Sequence, residues 1–529
     1  MSMMWHSPPG LPTNFQGVAI AVLLCLLLLK WTSSIRKDRS SLPLPPSPKG
    51  SLPILGNLFS MPTKLEWKQY HQWCKELGTD IMYLNVAGTS MIVLDTEEVA
   101  SDLLEKRSSK YSGRFRMPMV LEVMKWNFIV GFMDYGQQWR GNRRIIHNIF
   151  HPNAAARLKP QMLRSTRHLL NRFLDHPSNV VGNFRHMSGE TILSITYGIQ
   201  VKEYNDPYVK TIQEGMDILG VASIPGTYLV DTFPILKYVP EWLPGASFKR
   251  KAREWKDLGR RVVEEPYEAA KRLIASGDYS HNFVAFSLDR IQSEDDAERK
   301  QKEEDVKASA GTMYAAGSDT TTSTLSSCVL GLLLRPELIK RAQRDIDSVT
   351  KGMRLPEFDD ESKLPFITAL VKESLRWEEV LPIAIPHHNS TEDEYKGYRI
   401  PAGSIIIPNA WAMLHDERVY PDPFSFKPER FLKADGTLDT SVKDPSHACF
   451  GFGRRICPGR YMAYSAVWIA VASLLSVFDI EKAVDENGNI IEPKYEYISS
   501  LVRLPEPFTC SIKPRSMAAE KLIRSANMT

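Results

Sequence analysis

The sequence predicts a mainly α fold with small β-sheets, a single body preceded by one N-terminal transmembrane helix, and three features predict it. From about residue 70 onward apolar residues recur at helical spacing along most of the chain. Strand-like pieces interrupt that pattern at 81–84, 91–94, 398–400 and 404–407. An unbroken apolar run at residues 18–29 stands apart from everything that follows.

That run carries no Lys or Arg before Lys30, whereas Lys30, Arg36, Lys37 and Arg39 come after it. Twelve helical residues reach only about 18 Å, so crossing a hydrocarbon core of roughly 30 Å recruits flanks over about 11–31. A cleaved signal peptide carries its charge before the apolar region, not after it. The charge order places the bulk of the protein on the cytosolic side, as in the endoplasmic reticulum membrane. Residues 1–40 are therefore expected to be an anchor with a basic flank. Residues 41–50, rich in Pro43, Pro45, Pro46 and Pro48, read as a stiff linker, and 51–529 as one domain.

A chain of 529 residues would by length alone suggest about three domains. A large buried cofactor shared by distant segments removes that need. The balance of 66 basic and 62 acidic residues offers no concentrated basic face, so no nucleic-acid partner is expected. Six scattered cysteines without a CxxC pair exclude a disulfide framework and a zinc site, and suit a reducing compartment. The charged stretch 293–307 reads as a solvated loop running into a helix. Residues 216–242, broken by Pro225, Pro234 and Pro240 and followed by Lys249-Arg250-Lys251, fit either a core segment or one that dips into lipid headgroups.

The sharpest signal is the run Phe450-Gly451-Phe452-Gly453-Arg454-Arg455-Ile456-Cys457-Pro458-Gly459-Arg460. Its glycines and proline mark a tight loop, and the apolar stretch 461–477 reads as a helix starting just after it. Cys457 would then sit at a helix N-terminus, where free N–H groups and the macrodipole favour a thiolate. Gly453 and Gly459 would let backbone amides approach the sulfur closely.

Phe450, Gly453, Arg455, Cys457 and Gly459 together resemble the haem-binding signature of the cytochromes P450. The resemblance runs from the proline linker to about residue 515, and it implies that family's fold. It also implies haem b with Cys457 as the iron's proximal ligand and Arg455 beside a propionate. A thiolate behind haem iron favours cleavage of dioxygen. The segments 231–255 and 480–514 resemble basidiomycete fungal members that act in secondary metabolism.

Three further constellations support it. A long helix is expected over about 307–334, stopping near Pro336, and its middle, Gly317 to Thr324, is poor in helix formers. Hydroxyls competing for backbone bonds there could open the helix to dioxygen and water. Ala316, Gly317, Asp319 and Thr320 are similar to the family's oxygen-binding motif, which implies that Asp319 and Thr320 relay protons. Glu373 and Arg376 share one helix face, and the resemblance joins them with Arg430 of Pro428-Glu429-Arg430-Phe431 in a buried network under the cysteine loop. Trp139 and Arg143 also share one helix face, and the resemblance implies that they hold haem propionates, with His387 as a further partner beside a competing His388.

No Gly-rich dinucleotide fingerprint or P-loop is present, so electrons from NADPH imply a separate NADPH-cytochrome reductase flavoprotein. Arg454, Arg460 and Lys427 could meet its acidic surface. The pocket is expected from Met313 and Tyr314, from 381–385 with Ile383 and Ile385, from 497–501 with Ser500, and from parts of 117–132. These are mostly apolar, so the expected substrate is a lipophilic small molecule, first a terpenoid, with an indole or polyketide as alternatives. Two rivals are a reductase-independent rearranging member and a non-catalytic haem carrier. The Asp319–Thr320 pair argues against both, since neither needs it.

Overall fold

The computed structural model describes residues 42–224, 227–277, 282–293, 295–498 and 500–526. The expected anchor, residues 1–40, lies outside the described residues. Among the described residues one helix, Arg460–Val477, is long and apolar enough to cross a membrane. Its residues from Ala466 to Leu475 are buried inside the protein, which makes it a core helix.

Residues 42–50 do not stand off as a spacer. Pro43 and Pro46 accept backbone hydrogen bonds from Arg399 and Tyr83 at 2.8 and 2.9 Å, and Pro45 and Pro48 are buried. Prolines offer acceptors without competing donors, so this extended stretch docks along a sheet margin.

That sheet has four strands. Strands β1 (Ile81–Val86) and β2 (Thr89–Leu94) form an antiparallel hairpin. Its two turn residues, Ala87 and Gly88, both have positive φ, the conformation that matches strand twist in a two-residue hairpin loop. Strand β3 (His387–His388) and β6 (Ile405–Pro408) complete the order β1-β2-β6-β3, with β2 and β6 parallel. Between them β4 (Asp393–Tyr395) and β5 (Tyr398–Ile400) make a small antiparallel pair. Near the C-terminus β7 (Phe478–Val484), β8 (Ile490–Ile491) and β9 (Cys510–Pro514) form a third sheet, β8-β7-β9. Four of the nine strands among the described residues coincide with the sequence expectation. The other five are very short or mix charged and apolar residues, so they carry no clean alternation.

The other regular elements are helices. The helices that position the site are α1 (Gln137–Phe150), α2 (Val180–Tyr197), α3 (Asp296–Leu334), α4 (Pro365–Trp377) and α5 (Arg460–Val477). Helix α3 begins well before residue 307, which corrects the expected loop at 293–307. Asp295 caps it by accepting from the Ala297 N–H at 2.8 Å. Pairs such as Glu298–Lys302 and Glu304–Lys307 run along its exposed face, and such spacing supports a solvated helix. Its end at Leu334 precedes Pro336, as expected, since Pro336 opens the next helix at its first turn.

Helices α2 and α3 cross closely at Gly317, where an added Cβ would lie 2.9 Å from the Ile192 side chain. The Thr322 hydroxyl meets Ser188 Oγ at 3.2 Å across the same contact. One large apolar cluster spans these helices, α4 and α5.

A buried charge network lies at the C-terminal end of α4. Arg376 donates to both oxygens of Glu373 at 2.8 Å, with both residues fully buried. Glu373 also accepts from the Lys427 N–H at 2.8 Å and from Arg430 at 3.3 Å. The arginines' remaining donors reach the Leu414, Pro421 and Asp422 carbonyls. Removing one member strands a buried charge, so Glu373→Ala is expected to lose about 3–5 kcal/mol of stability in urea unfolding. A loss under about 1 kcal/mol, the scale of an exposed pair, would contradict this.

Candidate active site and cofactor cradle

The cysteine loop is held by its own backbone. The Cys457 N–H donates to Phe450 O at 2.8 Å, and the Ile456 N–H to Gly453 O at 3.2 Å. Gly453 has φ +54, and a Cβ there would lie 2.1 Å from the Leu104 carbonyl oxygen, so glycine is required. Gly459 is the N-cap of α5. Burial pushes the Cys457 thiol up, opposed by the Gly459 N–H donating to the sulfur and by the Arg143 and Arg460 charges. A bound cation at the sulfur would tip that balance to thiolate.

Beside this loop the chain gathers cations and one aromatic ring. Arg455 is buried, donates to Ser112 O and Met133 O at 2.7 and 2.8 Å, and lies over the Trp139 ring at 4.3 Å. Its Nη1 has no partner. Arg114 is buried and donates to the Gly131, Ile385 and Pro386 carbonyls. Arg143, from α1, donates to Ile456 O at 2.6 Å. Burial, then the Arg455 charge, lowers the Arg114 guanidinium well below its ordinary value, and burial, opposed by Asp134 and aided by Arg143, brings Arg455 down to about 10. His387 is buried, and desolvation and Arg114 hold its ring well below the usual range. Its Nδ1 lies 2.7 Å from Tyr111 O, which can only accept, so the proton sits on Nδ1.

Buried cations that repel one another, with an unpartnered guanidinium nitrogen among them, form a site complementary to carboxylates. Haem fits it. The propionates would meet Arg114, Arg143 and Arg455, Trp139 would line the site and Cys457 would ligate the iron, while His387, its proton on Nδ1, would join them on gaining a second proton on Nε2. Phe450 is half-buried in the same loop. Sequence reasoning missed Arg114, which follows Gly113 in no recognisable pattern, and its role shows only where strand β3 and the cysteine loop converge.

On α3 the less buried positions Thr312, Ala316, Gly317, Thr320 and Thr321 fall on one side, while Met313 and Tyr314 are fully packed in the core. The expected pocket role of Tyr314 is thereby corrected. Its hydroxyl donates to the Tyr208 carbonyl and its ring packs edge-on against Tyr197. A shift of one or two positions on a helix turns a side chain by about 100–200°. Met313 likewise belongs to the core cluster.

The expected opening of α3 is also corrected, because its helical assignment is continuous from Asp296 to Leu334. The hydroxyls of Thr320, Thr322 and Thr324 donate back to the Ala316, Ser318 and Thr320 carbonyls at 2.9, 2.8 and 3.2 Å. They share existing acceptors without breaking the ladder. Asp319 is buried and accepts from Arg185 of α2 at 2.9 Å. Asp217 lies near this pair, its carboxyl raised by burial, with Arg185 opposing and the Asp319 charge adding. Neither Arg185 nor Asp217 was singled out from sequence.

A cavity of about 140 Å³ opens between the β3 region and the helix after Asp206. It is lined by Phe115, Met117, Phe132, Ile383, Ile385 and Leu501, with the Ser223 and Ser500 side chains and, at one side, Lys64 and Glu66. Ile383, Ile385 and Ser500 were expected here.

The family model described as Cytochrome P450 matches residues 45–511. The chain is 44% identical over 497 residues to Cytochrome P450 monooxygenase 98 of Postia placenta, covering 94% of this chain and 95% of that protein. It is 40% identical over 520 residues to Cytochrome P450 monooxygenase ple1 of Rhodocybe pseudopiperita, with 98% of each covered. It is 39% identical over 508 residues to Tryptamine 4-monooxygenase of Psilocybe cyanescens, covering 96% and 99%.

If the cationic cradle holds propionates, Arg114→Leu releases haem faster. Transfer to apomyoglobin is expected to show retention weakened by about 1–3 kcal/mol, the scale of a lost charged hydrogen bond. An unchanged transfer rate contradicts the assignment of Arg114.

Proposed function

The chain belongs to the cytochrome P450 family and is similar along nearly its whole length to fungal monooxygenases; from that premise we propose that it hydroxylates a lipophilic small molecule of terpenoid type in secondary metabolism. The observation that carries the substrate class is the cavity beside the cradle, walled by Ile383, Ile385, Leu501 and Met117 with few polar groups. Haem, when bound, supplies the activation of dioxygen, with electrons drawn from NADPH through a separate reductase.

The chain's own residues do the rest. Cys457 would hold the iron, and Arg114, Arg143 and Arg455, with His387 once it is protonated on Nε2, would fix the ring's acidic edge. Asp319 and Thr320 move the protons that reduction of dioxygen consumes. For that, Thr320 exchanges its hydrogen bond to Ala316 O for one toward the site, and Asp319 swings from Arg185. Arg454 and Lys427, both exposed, and Arg460 offer a positive surface near the cysteine loop for an acidic flavoprotein.

Membrane attachment is part of the proposal. Phe59, Leu229, Ile235, Tyr238 and Trp242 are strongly exposed. They belong to two segments that pack together through Ile54, Leu55, Phe233 and Leu236. A patch of this kind, followed by Lys249, Arg250 and Lys251, suits contact with the endoplasmic reticulum bilayer alongside an N-terminal anchor.

A second reading is oxidation of an indole, favoured by the similarity to the Psilocybe tryptamine monooxygenase. Reconstitution with reductase and NADPH separates the two. The terpenoid reading expects hydroxylated products from neutral sesquiterpenoids and none from tryptamine. Tryptamine turnover with inert terpenoids replaces it with the second.

In the same assay Asp319→Asn is expected to lower product formation about 10²-fold or more, the usual scale of a general acid, with the carbon-monoxide spectrum retained. Unchanged product formation removes Asp319 from the proton path.

A further inference from the structure

A buried polar cluster remains that neither the cysteine loop nor the Asp319 pair uses. Glu379, just past α4, is 1% exposed, and neither carboxyl oxygen has a hydrogen-bond partner. Arg503 is 5% exposed, lies 3.6 Å from Glu379 through Nη1 and pairs with Glu378 at 2.6 Å through Nη2. Its guanidinium is packed over the Tyr497 and Trp67 rings at 4.5 and 5.2 Å.

This cluster joins two walls of the cavity. The Arg503 N–H donates to Val380 O at 2.9 Å, tying the C-terminal loop to the segment after α4. The first carries Ser500 and Leu501, the second Pro382, Ile383 and Ile385, and all five line the cavity, as does Trp67 beneath the guanidinium. The Ser323 hydroxyl of α3 donates to Arg503 O, fixing the same loop to the long helix.

Resting on the reading of that cavity as the substrate pocket, we propose that Glu379 and Arg503 are positioning residues for substrate. Their buried pair clamps the Ile383–Ile385 wall to the Ser500–Leu501 wall and sets the size of molecule accepted between them.

The clamp has two protonation states. Burial raises the Glu379 carboxyl to about 8, with Arg503 and Arg376 opposing and Glu378 adding. His415, 4.0 Å away, stays neutral, and Tyr497 and Cys449 also face the group. The sign follows from proton binding. The folded chain keeps a proton that the unfolded chain has lost, so stability falls as pH rises from the ordinary carboxylate range to about 8 and is flat above it. Once ionised, Glu379 competes with Glu378 for Arg503 and draws the two walls into a different spacing.

Two haem ligands that stay neutral in this range, pyridine and a phenyl-substituted pyridine, read the spacing in the full-length holoprotein through their Soret shifts. Between about pH 7 and about pH 9 the ratio of their affinities is expected to change about fivefold or more in the wild type, a typical coupling between two sites. Glu379→Gln, of the same shape, is expected to abolish the change. A wild-type ratio independent of pH overturns the clamp even if Glu379→Gln fails to fold, and so does an unaltered response in a folded Glu379→Gln protein. Failure of the phenyl derivative to bind at any pH, with pyridine binding normally, overturns the reading of the cavity itself, and the clamp with it.

Discussion

The requirement that organises this molecule is to hold one thiol sulfur, that of Cys457, at the start of a buried helix and keep it ionised when a metal is bound. A thiolate in an apolar interior costs free energy unless positive charge or N–H groups face it. The chain supplies the Gly459 N–H, the Arg143 and Arg460 charges and a glycine-dependent loop that fits under the Leu104 carbonyl. The Glu373–Arg376–Arg430 network spends buried charge, poor in net stability, on fixing several backbone carbonyls in one arrangement.

A second electrostatic constraint follows from the first. Three arginines are drawn into the interior near Cys457 without enough carboxylate to balance them, beside a His387 that burial keeps neutral. The apo protein therefore carries repulsion that an anionic cofactor relieves, so cofactor binding and folding are thermodynamically linked. The dianionic edge of haem is the partner of matching chemistry. In the proposed function the apolar cavity selects the molecule and the hydroxyl-bearing face of α3 governs protons.

The amount legible in the sequence followed the range of the interactions involved. The cysteine loop was readable because its glycines, proline and following helix are contiguous. Glu373 and Arg376 were readable for the same reason, and Arg430 entered only through family resemblance. Arg114, Arg185 and Glu379 were invisible because each acquires meaning from a partner far along the chain, respectively Arg455, Asp319 and Arg503. Helix phase defeated Tyr314, since periodicity finds an apolar face but not which neighbour claims it. The start of α3 was misread because a highly charged stretch resembles a loop until its i,i+4 pairs are counted. The expected opening near Thr320 failed because hydroxyls can share a carbonyl already engaged in the helix.

The most direct test of the account is the reduced carbon-monoxide difference spectrum of the purified protein beside its Cys457→Ala variant. The account predicts a strongly red-shifted Soret band in the wild type and its absence in a variant that still folds. A folded wild type that takes up haem without that band, or a variant that keeps it, would contradict thiolate ligation by Cys457 and the chemistry built on it.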